Sequence, residues 1–278
     1  MIKLNNTIIK QDNFPDGTLL MKYTEPYFAN NNTIEWNYEN DAELFTLICL
    51  VNHIREHKPD TFFTLIMPYL PHARMDRVKS DEDVFTLKYF CNVINSLKFE
   101  KVIVRDVHSN VSLALLDRVS DMGIAYPFYQ ALTKIVYTET GGVMQEDRDE
   151  CYENLVAFFP DEGAMKRYSS EITEFPIAFG IKNRDWKTGK IKGLDIMNGE
   201  AVKGKTVLII DDICSKGGTF YHSAKALKKA GAENIYLYVT HCENTIHEGE
   251  LLKSDLIKHI YTTDSILTKE HAKITIIE

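Results

Sequence analysis

The stretch Thr206-Val-Leu-Ile-Ile-Asp-Asp-Ile-Cys-Ser-Lys-Gly-Gly-Thr219 decides how the chain is read. Its apolar run, Val207 to Ile210, is what a strand covered on both faces requires, and the run stops at two carboxylates, Asp211 and Asp212. Gly217 and Gly218 follow as a loop, and a helical pattern begins at Thr219. In an open α/β sheet, ligands sit beyond the carboxyl ends of the strands. There, glycines let backbone N–H groups approach an anion, and a helix N-terminus adds its dipole. Ser215, Lys216, Gly217, Gly218 and Thr219 are therefore expected to cradle a phosphate. Asp211 and Asp212, acceptors only when ionised, suit paired sugar hydroxyls or a hydrated metal. Taken singly, Asp-Asp is a turn and Gly-Gly a tight loop; the combination is what points to an anion site.

Working outward, short runs rich in Val, Ile, Phe and Leu alternate with segments of helical period, the pattern of a mainly parallel α/β architecture. The pattern predicts strands at Phe62 to Met67, Lys101 to Arg105, Asn154 to Phe159, Pro176 to Ile181, Thr206 to Ile210 and Asn234 to Thr240. Helices are predicted at Asp41 to Glu56, Phe85 to Leu97, Ser109 to Val119, Glu162 to Tyr168 and Thr219 to Ala230, the last stopped by Gly231. The polar, turn-rich region Thr138 to Glu153 separates two sets of strands. It divides the 278 residues into domains 1–140 and 141–278, each long enough to bury its own core.

Composition narrows the function classes. The chain is 44% hydrophobic and 26% charged, ordinary for a globular protein. Apolar stretches such as Phe62 to Met67 fall far short of the roughly 20 residues of a membrane-spanning helix, and residues Met1 to Gln11 carry no apolar signal core. Five cysteines stand singly, as reduced thiols do in a cytosolic protein. A cytoplasmic location is expected, with no membrane partner. A formal net charge of -8 argues against nucleic acid as partner, since affinity for it comes from basic residues on phosphates.

The Thr206–Thr219 stretch resembles the phosphoribosyl-binding loop of type I phosphoribosyltransferases. Further segments narrow the resemblance: Asn13-Phe14-Pro15-Asp16-Gly17, Pro68-Tyr-Leu-Pro-His-Ala-Arg-Met-Asp-Arg77, Arg105-Asp-Val-His-Ser109, Pro160-Asp-Glu-Gly163 and Lys182-Asn-Arg184. In this order they are similar to the signature segments of ribose-phosphate pyrophosphokinases. A base-transferring phosphoribosyltransferase would share only the last loop. Ala73 to Arg77, Phe85 to Lys88 and Val104 to Ser109 look most like a divergent branch of that family, carried by large bacteriophages in NAD-salvage gene sets; for such a chain the compartment is the host cytoplasm.

The resemblance implies two tandem type I phosphoribosyltransferase-like domains, the first on the ATP side and the second carrying the sugar-phosphate loop. It also implies transfer of the β,γ-diphosphate of Mg-ATP to the 1-hydroxyl of ribose 5-phosphate. ATP binding would fall to Phe14 stacking on adenine, Asp16 accepting from its amine, and Arg74, Asp76 and His108 near the phosphates. Mg²⁺ would be held by His108 and Asp161. Lys182 and Arg184, from a flap continuing through Asp185 to Lys190, would stabilise the moving diphosphoryl group. A homo-oligomer, dimer or higher, is implied as well. Without the resemblance each residue has a plainer reading: Phe14 in a core, Arg74 in a solvated pair with Asp76, His108 on the surface, Asp161 as a helix N-cap.

The chain departs from the family at Thr18, where Glu is common, and at Met75, where Gln is common. Lys216 stands where the family has Thr, and the closing helix is missing after the strand-like run Ala272 to Ile277. Lys216 keeps open a second sugar, ADP-ribose, whose extra phosphate a flexible ammonium could reach. A catalytically silent regulatory subunit is a further alternative, opposed by the presence of Lys182 and Arg184.

Overall fold

The structure, a computed structural model, describes residues 1–23, 29–142, 152–184 and 191–277, with the backbone alone at 182–184 and 191–193. Two compact units emerge, Met1–Gly123 and Ile124–Glu278.

The first unit opens with an antiparallel pair, β1 (Ile2–Leu4) and β2 (Thr7–Ile8), turned by Asn5 and Asn6 at positive φ. A separate hairpin, β3 (Gln11–Asn13) and β4 (Leu19–Met21), follows, and then β5 (Asn31–Trp36), α1 (Ala42–His57), β6 (Phe62–Met67), α2 (Thr86–Ser96), β7 (Lys101–Val104), α3 (Asn110–Leu115) and β8 (Val119–Asp121). Among the described residues these strands form a six-stranded sheet in the order β2-β1-β5-β6-β7-β8, parallel from β5 onward. Period-two burial sets its register: Ile34 and Trp36, then Phe63, Leu65 and Met67, then Val102 and Val104 all face the core. Onto that face α1 lays Leu47, Leu50, Val51 and Ile54, and α2 lays Leu87, Phe90, Cys91 and Ile94, each at helical spacing. Burial pushes the Cys91 thiol up to about 12, so it stays an inert apolar filler.

The second unit contains α4 (Ala125–Glu139), β9 (Leu155–Phe159), α5 (Glu162–Tyr168), β10 (Ile177–Arg184), β11 (Ile191–Met197), β12 (Thr206–Cys214), α6 (Gly218–Lys229), β13 (Asn234–Cys242), β14 (His259–Thr263) and β15 (Ile274–Ile277). Among the described residues its sheet has seven strands in the order β11-β10-β9-β12-β13-β14-β15, with β11 antiparallel to β10 and the rest parallel. Alternation along β12 sends Val207 and Ile209 into the core under α6, and Leu208 and Ile210 into the core shared with α4 and α5.

Four expectations are corrected. The boundary falls at 123/124 and not at 140/141, because α4 buries Phe128, Ala131, Leu132, Ile135 and Val136 against the second sheet. Residues 143–151 of the expected linker lie outside the described residues. Strand β12 does not stop before the carboxylates: pairing with β13 continues through Asp211↔Val239 and Ile213↔His241 to Cys214↔Cys242. Strand β10 likewise runs to Arg184, so Lys182 and Arg184 belong to the strand and not to a loop past it. Helix α3 ends at Leu115, where Leu116 turns extended and Arg118 takes positive φ, instead of reaching Val119.

The end of α4 is fastened by one carboxylate. Glu139 accepts hydrogen bonds from Tyr236 Oη, from Asn234 Nδ2 at 2.8 Å and from Lys258 Nζ at 2.7 Å. Burial alone would raise the Glu139 carboxyl, but the Lys258 ammonium and the Tyr236 hydroxyl outweigh it and hold the group below the ordinary carboxylate value. A depressed carboxyl stabilises the fold above its unfolded value, and that contribution is lost as pH falls through the folded one. Glu139→Gln is expected to lower unfolding free energy at pH 7 by about 1–3 kcal/mol. The gap between variant and parent in urea midpoint should shrink on acidification; equal midpoints at pH 7 would deny the anchor.

Candidate functional site

In the second unit the functional side chains gather at the carboxyl ends of β9 and β12. Gly217 caps α6 with φ 76 and ψ 13, a left-handed conformation that favours glycine. A Cβ there would also lie 2.7 Å from Leu251 Cδ2. Gly218 is the opposite case: a Cβ built on it meets nothing within 4 Å, so the loop opens to space at the point where the first turn of α6 presents its N–H groups. The segment that follows β13 forms the outer wall. Gly249 approaches so closely that a Cβ would fall 1.9 Å from the Lys216 carbonyl oxygen, and Lys216 Nζ pairs with Glu248 Oε2 at 2.9 Å. Lys216 is thus paired across its loop while remaining exposed.

Three carboxylates meet beside this cradle. Burial first, then repulsion from Asp212, raises the Asp211 carboxyl well above its ordinary value, and Asp161 adds to the effect. Asp212 is buried and bridged to Arg167 Nη1 at 3.1 Å. Asp161 is the N-cap of α5, with Oδ1 accepting from Gly163 N at 3.0 Å and Ala164 N at 3.1 Å. The plainer reading of Asp161 therefore holds whatever else it does. Crowded negative charge of this kind is relieved by a divalent cation, so the donor set fits Mg²⁺. Among the described residues, however, no three His, Cys, Asp or Glu side chains form a ready metal cage. Lys182 and Arg184 lie on β10, their side chains outside the described residues, as is the expected flap from Asp185 to Lys190.

The first unit holds the residues expected on ATP. Phe14 sits in the β3–β4 turn and is 49% exposed, so it is not a core residue. The turn is closed by Phe14 N donating to Thr18 O at 2.9 Å and by Gly17 at φ 85. Asp16 Oδ1 accepts from Thr18 Oγ1 at 2.7 Å and from Thr18 N at 3.0 Å, and these bonds hold its carboxyl below the ordinary range. Thr18, a departure from the family, thus stiffens the turn. A cavity of about 420 Å³ lies beside it, lined by Gln11, Asn13, Thr18, Asn40, Phe45 and Thr46.

Arg74 and Met75 are exposed at the next segment, while Asp76 is buried and gripped by Arg77, Nε to Oδ1 at 2.7 Å and Nη2 to Oδ2 at 3.1 Å. Asp76 thus pairs with Arg77, where the sequence suggested Arg74. Burial pushes the Asp76 carboxyl up; the Arg77 fork, helped by His108, pulls it below its ordinary value. Asp76 and His108 are therefore brought together. The Asp106–His108 turn is held by Asp121, which accepts from Asp106 N at 2.7 Å, Gly123 N at 2.9 Å and Val107 N at 3.3 Å, with Asp106 itself at φ 45.

Sequence reading missed Arg77, Asp121, Arg167 and Glu248. Asp121-x-Gly123 carries a turn signal that could have been noticed. Arg167 and Glu248 act across sequence separations that no local pattern reports.

A phosphoribosyl transferase domain model matches residues 163–273. Over 266 residues the chain is 26% identical to a ribose-phosphate pyrophosphokinase of Chlorobaculum tepidum, covering 94% of this chain and 76% of the relative. It is 25% identical to the ribose-phosphate pyrophosphokinase of Saccharolobus solfataricus, covering 99% of this chain and 89% of that one. Among solved structures, phosphoribosylpyrophosphate synthetase from Mycobacterium smegmatis superposes with a TM-score of 0.75 at 16% identity, covering 97% of this chain and 85% of the other; this likeness shows the fold.

Proposed function

We propose that the chain, similar over nearly its whole length to ribose-phosphate pyrophosphokinases, is a member of that family and transfers the β,γ-diphosphate of ATP to the 1-hydroxyl of ribose 5-phosphate. The observation that carries this reading is the pair Asp211-Asp212 leading into the open Gly217–Gly218 cradle, in a chain that also has the Phe14–Thr18 turn and the Arg74–Arg77 segment. A base-transferring enzyme needs the first and has no use for the others.

In this reaction the sugar O1 bonds to the β-phosphorus, the bond from that phosphorus to the α–β bridging oxygen breaks, AMP leaves and the hydroxyl proton is released. The first turn of α6, with Ser215 and Thr219, takes the 5′-phosphate. Asp211 and Asp212 accept from the sugar hydroxyls and fix O1 toward the diphosphate, so that positioning does much of the work. In the first unit, Phe14 and Asp16 take the adenine, and Arg74, with Asp76 and His108 behind it, meets the phosphates. Lys182 and Arg184 neutralise the charge that develops on the moving group. His108 in the first unit and Asp161 in the second would each be a candidate ligand for Mg²⁺, which would supply charge neutralisation when bound. A homo-oligomer in which an exposed Phe14 reaches the base of a neighbouring copy belongs to the same reading.

The alternative sugar, ADP-ribose, is favoured by one feature, the ammonium of Lys216 at the rim of the cradle. Incubation with ATP, Mg²⁺ and either sugar is expected to yield AMP and a sugar 1-diphosphate in equal amounts, identified by mass. The reaction should stop when Mg²⁺ is chelated and resume when it is restored. ADP as the nucleotide product would defeat the assignment, and no nucleotide product at all would favour a silent subunit.

A further inference from the structure

Asp211 and Asp212 are neighbours on β12 and their carboxyls interact, Asp212 helping to raise the Asp211 carboxyl. Facing Asp212 stands Arg167, the sixth residue of α5. Its neighbour Tyr168 is buried and fixes the guanidinium, whose carbon lies 5.4 Å from the ring centroid and whose Nη1 donates to Tyr168 Oη at 3.3 Å. From there Nη1 reaches Asp212 Oδ2 at 3.1 Å, with Asp212 nearly sealed from solvent and Arg167 partly exposed.

We infer that Arg167 is a positioning residue for sugar binding: it holds the Asp212 carboxylate in place, and through it the Asp211–Asp212 edge that meets the ribose hydroxyls. The inference rests on the proposed sugar site. Its physical basis is that a buried carboxylate stays ionised and oriented only with a fixed partner, and a planar fork seated on an aromatic ring is a stiff one. Arg167 touches no reacting atom; it acts through Asp212. The same helix carries Asp161 at its N-cap, so α5 supplies an anion at its start and a cation nearly two turns on.

A double-mutant cycle on the full chain tests this. Affinity for ribose 5-phosphate is measured by calorimetry in the parent, Arg167→Met, Asp212→Asn and the double variant, with ATP affinity alongside. Arg167→Met should weaken sugar binding by about tenfold, the worth of a charge-assisted hydrogen bond, while ATP binding is kept. In the Asp212→Asn background, where no buried charge is orphaned and folding is least at risk, the same replacement should have almost no further effect. Additive losses, or a folded Arg167→Met chain with parental sugar affinity, would overturn the inference. Equal weakening for sugar and ATP would mean a general structural role and overturn it as well. A parent that binds neither sugar and forms no AMP would instead defeat the proposed function on which the inference stands.

Discussion

Replacing Lys182 or Arg184 with alanine is expected to lower kcat by about 100- to 1000-fold, the usual cost of removing one preorganised charge or donor from a transition state. ATP affinity should change little. The diphosphate of bound ATP already carries its charge, and what grows during transfer is charge on the bridging oxygen and on the group in flight. A cation that meets the growing charge contributes to kcat; one that meets only the resting charge contributes to KM. Both residues lie on β10. The strand is pinned on one side by β9 and on the other by antiparallel β11, with a register irregularity at Asn183 and Arg184. Single-turnover rates at saturating ATP, with ATP affinity measured separately, decide the matter. Variants that only raise the KM for ATP would show ground-state contacts.

Much of the fold was legible because burial writes its period into sequence. The runs Phe62 to Met67 and Glu162 to Tyr168 agree with β6 and α5 to the residue, and β9 and β7 to within one. The errors have separate physical causes. Strand ends were read where apolar residues stop, yet β12 continues through Asp211 and Asp212 because β13 offers backbone partners as far as Cys242, and hydrogen bonding does not ask whether the side chain is polar. Helix α4 was assigned to no element because its apolar residues Phe128, Ala131, Leu132, Ile135 and Val136 are interleaved with exposed Tyr126 and Tyr137, blurring the stripe. Short edge strands such as β2 and β8 hold too few residues for any period to appear.

The candidate site was legible in its residue types and illegible in its pairings. The cradle from Ser215 to Thr219 and the Asp211-Asp212 pair were visible because glycine and acid stand together in one short stretch. That Asp76 is gripped by Arg77, Asp212 by Arg167 and Lys216 by Glu248 depends on which face of which element each side chain occupies. Those pairings decide what each acid or base is free to do, and so they bear directly on substrate choice.

The Lys216–Glu248 pair makes the sugar preference a question of competition. Both side chains are well exposed, at 66% and 60%, and an exposed ion pair is weak. The Lys216 ammonium, hydrogen-bonded to it, holds the Glu248 carboxyl below its ordinary value, so both groups are charged at neutral pH. An anion arriving at the rim of the cradle must displace Glu248 to gain the ammonium. A 5′-monophosphate seated on the backbone N–H groups has no need of it. A 5′-diphosphate ester places its second phosphate outside the cradle, where the ammonium is the nearest cation its own loop provides. Lys216→Thr is therefore expected to shift the ratio of kcat/KM values toward ribose 5-phosphate and away from ADP-ribose by about 10- to 100-fold, the worth of one charge-assisted hydrogen bond. Glu248→Gln should move the same ratio the other way, because it frees the ammonium and removes a like charge facing the second phosphate. Gly249, packed on the Lys216 carbonyl, must be left alone in such an experiment, since any side chain there displaces the loop itself. Opposite shifts from the two variants would identify the pair as the reader of the 5′ substituent. A ratio unmoved by both would mean that the sugar is chosen by the cradle alone, and ADP-ribose would lose the one feature that favours it.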